Sequence, residues 1–109
     1  MAVENLSSKA TPSLVIGAGL AEARAETGDL AGAQAILAEL QPLIDAMPPG
    51  LPTGVVGRAR AVVLLRRGRM AEASDELDAA EAIFRQAGVA SESYVKALAP
   101  LRARIAAGR

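Results

Sequence analysis

With 109 residues, zero net charge, no histidine and no cysteine, the chain has room for one small domain and lacks the side chains for imidazole or thiolate metal sites, thiol nucleophiles, disulfides and His-dependent triads. Apolar residues make up 51% of it, yet there is one Phe, one Tyr and no Trp, so the interior must come from Ala, Leu, Val and Ile, a composition that favours closely packed helices. No apolar run approaches the roughly 18 residues that span a bilayer, no secretory leader stands at the N-terminus, and the lack of cysteine fits a reducing compartment, so the expected location is cytoplasmic.

In chain order, residues 1–10 are polar and aperiodic and predict a disordered tail. Thr11-Pro12 reads as a helix start, with the proline at the first helical position, and the first helix is expected from Pro12 to about Thr27, closed by Gly28. Asp29 then caps a second helix whose Leu30, Ala33, Leu37, Leu40 and Ile44 form one stripe. Pro42 lies inside that pattern and predicts a kink or break near Leu40. Met47-Pro48-Pro49-Gly50-Leu51-Pro52 is a breaker. The third helix, Pro52 to Arg67, is apolar almost all round through Val55, Val56, Val62, Val63, Leu64 and Leu65, and must be packed on more than one side. The fourth, Met70 to about Gln86, turns Met70, Ala73, Leu77, Ala80 and Phe84 inward and most of its acids outward, and ends at Gly88. A fifth starts at Ser91 or Ser93 and carries Tyr94, Val95, Leu98, Leu101 and Ile105 on one stripe, bent at Pro100.

These elements repeat with a period of forty. Gly28, Gly68 and Gly108 share the spacing, as do Val15, Val55 and Val95, and Ser13, Thr53 and Ser93; Pro12 recurs as Pro52, Gly17 as Gly57, Ala33 as Ala73 and Leu37 as Leu77. The helical repeat domain therefore covers 11–109, as one unit over 11–50, a second over 51–90, and a half unit or capping helix over 91–109. The fold class is all-α, an array of antiparallel helical hairpins with about five helices, each pair unable to bury its apolar face alone. Charge is distributed unevenly along it: residues 52–70 hold five Arg and no acid, residues 71–83 five acids and no base, and the first 49 residues are acidic.

A helix, a Gly-polar turn and a second helix with Ala five and a bulky residue nine positions after the glycine resembles the tetratricopeptide repeat. The matching residues are Gly28, Asp29, Leu30, Ala33 and Leu37, then Gly68, Met70, Ala73 and Leu77, with Ala21 and Ala61 at the small position before each turn. Gly17 and Gly57 stand where that family has a bulky residue, Arg24 and Leu64 where it has an aromatic, and the period exceeds the family's, which is about 34. The resemblance implies a right-handed array that binds a protein or peptide. Forty-residue units rich in Ala, Leu and Arg also resemble the helical-repeat sensor regions of large ATP-binding LuxR-type regulators, which implies as an alternative a ligand-sensing fragment of a transcription regulator.

Little in the chain reads as reaction chemistry. No phosphate loop is present, Gly17-Ala18-Gly19 lacks the third glycine of a dinucleotide fingerprint, and the carboxylate pairs Glu22 with Glu26 and Asp75 with Glu76 lie on faces that read as solvated. The expectation is a non-enzyme without metal or cofactor, and without direct contact to nucleic acid or membrane. In the resembled fold the first helix of each unit lines a groove, which implies one surface made of Val15, Ala18, Glu22, Arg58, Val62, Leu65, Arg66, Leu98, Arg102 and Ile105, suited to an acidic partner with apolar anchors. The competing reading pairs Arg58 and Arg66 with Glu22 and Glu26 and leaves no free charge. Leu14, Ile16 and Leu20 point around the first helix with no earlier unit to cover them, and predict self-association as a homodimer.

Overall fold

The structure, a computed structural model, describes residues 2–88 and 91–108, and the side chains of 14–88 and 92–108. Six helices follow one another: α1 (Ala2–Glu26), α2 (Leu30–Asp45), α3 (Leu51–Arg66), α4 (Met70–Gln86), α5 (Ser91–Lys96) and α6 (Ala99–Gly108), and no strand occurs among the described residues. The all-α class expected from the pattern is what the chain adopts. Three local expectations need correction. Residues 2–10 are the first turns of α1, which begins at Ala2 and not at Pro12. No break occurs near Leu40, because α2 runs through Pro42 to Asp45. Ala38, whose carbonyl loses its helical donor to the proline, and Pro42 itself both lie on the exposed face, where water can take the place of the missing bond. The fifth predicted helix is interrupted as well as bent: it stops at Lys96, turns through Ala97 and Leu98, and restarts at Ala99, so that Pro100 falls in a first turn that needs no N–H.

Both hairpin turns close in the same way. At the end of α1 the Asp29 N–H reaches the Arg24 carbonyl at 2.8 Å and the Gly28 N–H that of Ala25 at 3.1 Å; at the end of α3 the Arg69 N–H reaches Leu64 at 2.9 Å and the Gly68 N–H reaches Leu65 at 3.0 Å. This double bond pattern requires a left-handed residue after the helix, and Gly28 and Gly68 supply it with φ of 94° and 78°. Asp29 then caps α2, its carboxylate accepting the Gly32 N–H at 2.9 Å. The α2–α3 link is fixed by Thr53, whose hydroxyl accepts the Gly50 N–H at 2.7 Å and returns a bond to the Gly50 carbonyl.

Each hairpin packs internally, α1 on α2 and α3 on α4, and the two are joined because α3 also lies against α1 and α2. Close approach is possible because the contact residues are small. A Cβ at Gly57 would stand 3.6 Å from that of Ala80, and one at Gly17, the equivalent position, 3.0 Å from Leu40. The units differ at one complementary pair. In the second hairpin Phe84 fills the space above Gly54, where a Cβ would come within 2.5 Å of the ring; the equivalent residues of the first hairpin are Leu14 and Ile44. A gain in bulk on one helix is thus matched by a loss on the other. Phe84 also meets Tyr94, with ring centroids 5.3 Å apart, so the two aromatic residues of the chain dock α5 onto α4. Leu98, Leu101 and Ile105 complete this end of the core, along the stripe expected from the sequence in spite of the interruption.

Two outcomes in denaturant melts check this packing. Leu77→Ala should cost about 2–5 kcal/mol, whereas the exposed Ala79 should accept substitution almost silently. Gly54→Leu should overpack by about 1–3 kcal/mol or more and Phe84→Ile should leave a void, while the double variant, which copies the first hairpin, should recover much of the sum of the two losses.

Candidate functional site

The surface implied by the family resemblance is not assembled. Ala18, Val62 and Leu98 are core residues, Ile105 is buried beside Arg102 at a separate small cleft with Ser74 and Ala106, and Leu65 is half-buried. The cations named with them are engaged elsewhere. Arg58 lies 3.4 Å from Glu22, Arg66 bonds the Glu26 carboxylate and main-chain carbonyl, each at 3.0 Å, and Arg102 faces α4, 2.9 Å from Asp78 and 3.0 Å from Glu81. The sequence reading that paired Arg58 with Glu22 and Arg66 with Glu26 is the one the structure contains. Sequence spacing could not bring in Arg104, whose guanidinium also reaches Glu26 at 3.1 Å.

The two carboxyls are displaced in opposite directions. Hydrogen bonds first from Arg104 and then from Arg66 hold the Glu26 carboxyl below its ordinary value of 4.5, while burial pushes Glu22 above it despite Arg58. The Nε of Arg58 is buried without a hydrogen bond, so this pair is satisfied only in part.

A different surface keeps a free charge. Between α2 and α3, at the junction of the two units, Gln34, Leu37, Ala38 and Gln41 face Arg60, Val63, Leu64 and Arg67 across a groove of about 430 Å³. Its floor is apolar, from Leu37, Ala38, Val63 and Leu64, and its rim carries amide and guanidinium groups. Arg60 donates to the Gln41 side-chain carbonyl and stands 3.7 Å from Glu76. The guanidinium of Arg67, alone among those of the described cations, has neither hydrogen bond nor ion pair. The helical period could have placed Arg60 and the C-cap residue Arg67 about two turns apart on one side of the α3 axis, but only the packing of α2 shows that this side borders a groove.

Comparison with protein-family models, curated proteins and solved structures finds no match to this chain. Any function must therefore be argued from the residues. Among the described residues no cluster of acids could hold a metal ion, and no helix is long and apolar enough to cross a membrane.

The residues expected to mediate self-association divide. Leu14 is fully buried in the first hairpin and belongs to the core, whereas Ile16 and Leu20 are 71% and 47% exposed.

The ionic contacts give a test by their signs. Glu26, with its value lowered on folding, contributes stability above pH 4.5 that is lost as pH falls through the lowered value; Glu22, with its value raised, contributes stability below pH 4.5 that is lost as pH rises through the raised one. The melting-temperature advantage of the parent over Glu26→Gln should accordingly widen from acid to neutral pH, and that over Glu22→Gln should narrow. Parallel pH profiles for the two variants would contradict the assignment.

Proposed function

We propose that the chain is a helical-repeat interaction module, its hairpins stacked in the right-handed sense of the tetratricopeptide fold, and that it binds a protein or peptide carrying acidic residues beside apolar ones in the groove between α2 and α3. The observation that carries this reading is the unpaired Arg67 at the rim of an apolar-floored groove. A charge left without a partner beside apolar surface is suited to an incoming carboxylate with an adjoining apolar anchor.

Arg60 adds a second contact. Its approach to Glu76 at 3.7 Å is a partly exposed ion pair, of a kind that contributes about 0–1 kcal/mol, so a ligand carboxylate competes with it on favourable terms. Arg60 lies on α3 and Arg67, seven residues on, is the C-cap residue that follows it in helical conformation, which at 1.5 Å per residue separates them by about 10 Å along the helix axis. An extended peptide covers that distance in about three residues, so the matching ligand places two acids three positions apart with an apolar residue between them. Ala38, on the α2 side of the groove, has lost its helical donor to Pro42, which leaves its carbonyl an acceptor for a backbone N–H of such a peptide.

Selection from a random peptide display library, followed by fluorescence anisotropy on the enriched peptides, tests the reading. Acid-x-x-acid sequences with an apolar residue between should be enriched, binding should weaken as salt rises, and Arg67→Glu should reduce affinity about tenfold or more, equivalent to about 1.4 kcal/mol, with the helical circular dichroism unchanged. Arg58→Glu with Arg102→Glu should lower stability and leave affinity alone. Peptides without acids, or binding that ignores Arg67→Glu and follows the Arg58 and Arg102 pair, would place the site elsewhere.

A further inference from the structure

The described residues expose four large apolar side chains, and three of them, Val15, Ile16 and Leu20, lie within about one and a half turns of α1. The internal repeat says what surface this is. Forty residues on, Ile16 corresponds to Val56, Gly19 to Ala59 and Ala23 to Val63, all three buried, while Leu20 corresponds to Arg60, which is half-buried and bonds Gln41 of α2. The helices packed on α3 from the earlier unit are α1 and α2. The face formed by Ile16, Gly19, Leu20 and Ala23 is therefore a unit-to-unit face, in a chain whose described residues put no unit against it.

Two further features select what covers it. The first is charge: no ionisable side chain lies within the four positions. The nearest, Glu22, Arg24 and Glu26, are each held by partners within the chain, namely Arg58, Asp29, and Arg66 with Arg104. A second copy of the same face therefore approaches without like charges in opposition. The second feature is the order of sizes, which is large, small, large, small through Ile16, Gly19, Leu20 and Ala23. A two-fold axis between positions 19 and 20 superposes this order on itself reversed, so each large residue meets a small one. Gly19 fits such a role because nothing in its own chain uses its bare backbone: a Cβ there meets no atom within 4 Å, in contrast to Gly17, Gly54 and Gly57. A glycine within a helix weakens it, and a contact made at its surface compensates.

We infer that this protein forms a two-fold dimer in which α1 packs antiparallel on the α1 of a second copy, Leu20 seated over Gly19 of that copy and Ile16 over its Ala23. The inference is independent of the α2/α3 groove, whose lining residues include none of these four. Sedimentation equilibrium of the full chain from low to high micromolar concentration tests it, and a dimer is expected. Gly19→Leu and Ile16→Glu should each raise the dissociation constant at least about tenfold. Gly19→Leu should leave the circular dichroism and melting of the dilute monomer intact or improved, since the added side chain has space within its own chain. The parent has no cysteine, so Leu20→Cys supplies a single thiol that a short bis-maleimide should link into covalent dimers, whereas Leu43→Cys, at the fourth exposed apolar site, should not link. A monomer at every concentration, a dimer indifferent to both the Gly19 and Ile16 changes, or assemblies that keep growing beyond two, as head-to-tail stacking would give, each overturns it.

Discussion

The architecture depends on α3 being narrow enough to be packed on opposite sides at once. Its buried residues are Thr53, Gly54, Val56, Gly57, Ala59, Ala61, Val62 and Val63, none larger than valine, and this lets α4 approach from one side while α1 and α2 close from the other. A helix lined with leucine on all those faces would hold its neighbours farther away and break the interdigitation that gives interiors their density. Large side chains come from the helices around it, above all Leu77 and Phe84 from α4 and Leu37 and Leu40 from α2. The exchange of Leu14 with Ile44 for Gly54 with Phe84 shows the same rule at one pair of positions: the volume between the helices of a hairpin is conserved, and which helix supplies it is not.

Charge follows the same arrangement. The basic α3 lies between two acidic helices, so Arg58 and Arg66 turn to Glu22 and Glu26 on α1, and Arg60 to Glu76 on α4. Such exposed or half-exposed pairs add little stability one by one, but they orient the helices they join. Glu26 has the widest reach. It gathers Arg66 from α3 and Arg104 from α6, and so ties the end of α1 to the second unit and to the terminal half unit. Once these pairs are formed, Arg67 is the one left over among the described cations, and it is left over beside the groove.

The two surfaces that remain are of different kinds. The α2/α3 groove mixes an apolar floor with a polar rim and suits a ligand whose own charges are complementary. The outer face of α1 is apolar and uncharged, and its chemistry is that of a core face lacking its neighbour. They arise from one cause, the stacking of unit on unit: stacking creates a groove where two units meet, and leaves open a unit face that no described residue covers.

The sequence alone was enough to give the all-α class, the forty-residue unit, the turn glycines and the inward stripes of α2 and α4, because each is a local or periodic property. A glycine followed by a polar cap closes a helix by short-range hydrogen bonds, and a stripe at three- and four-residue spacing must be buried whatever it is buried against. The pairs Arg58 with Glu22 and Arg66 with Glu26 were legible for the same reason, as charges at related positions of neighbouring repeats. Pattern could not say which apolar residues would be core and which would be surface. Leu14 and Ile16 are two positions apart on one helix, and only the placement of α2 makes one fully buried and the other 71% exposed. Nor could it reach Arg104 on Glu26, separated by 78 residues, or see that Pro42 is tolerated because its side of α2 faces water while Pro100 falls in the first turn of a new helix. The groove at Arg67 belongs with these: it is a property of the distance between α2 and α3, which packing of the whole core decides.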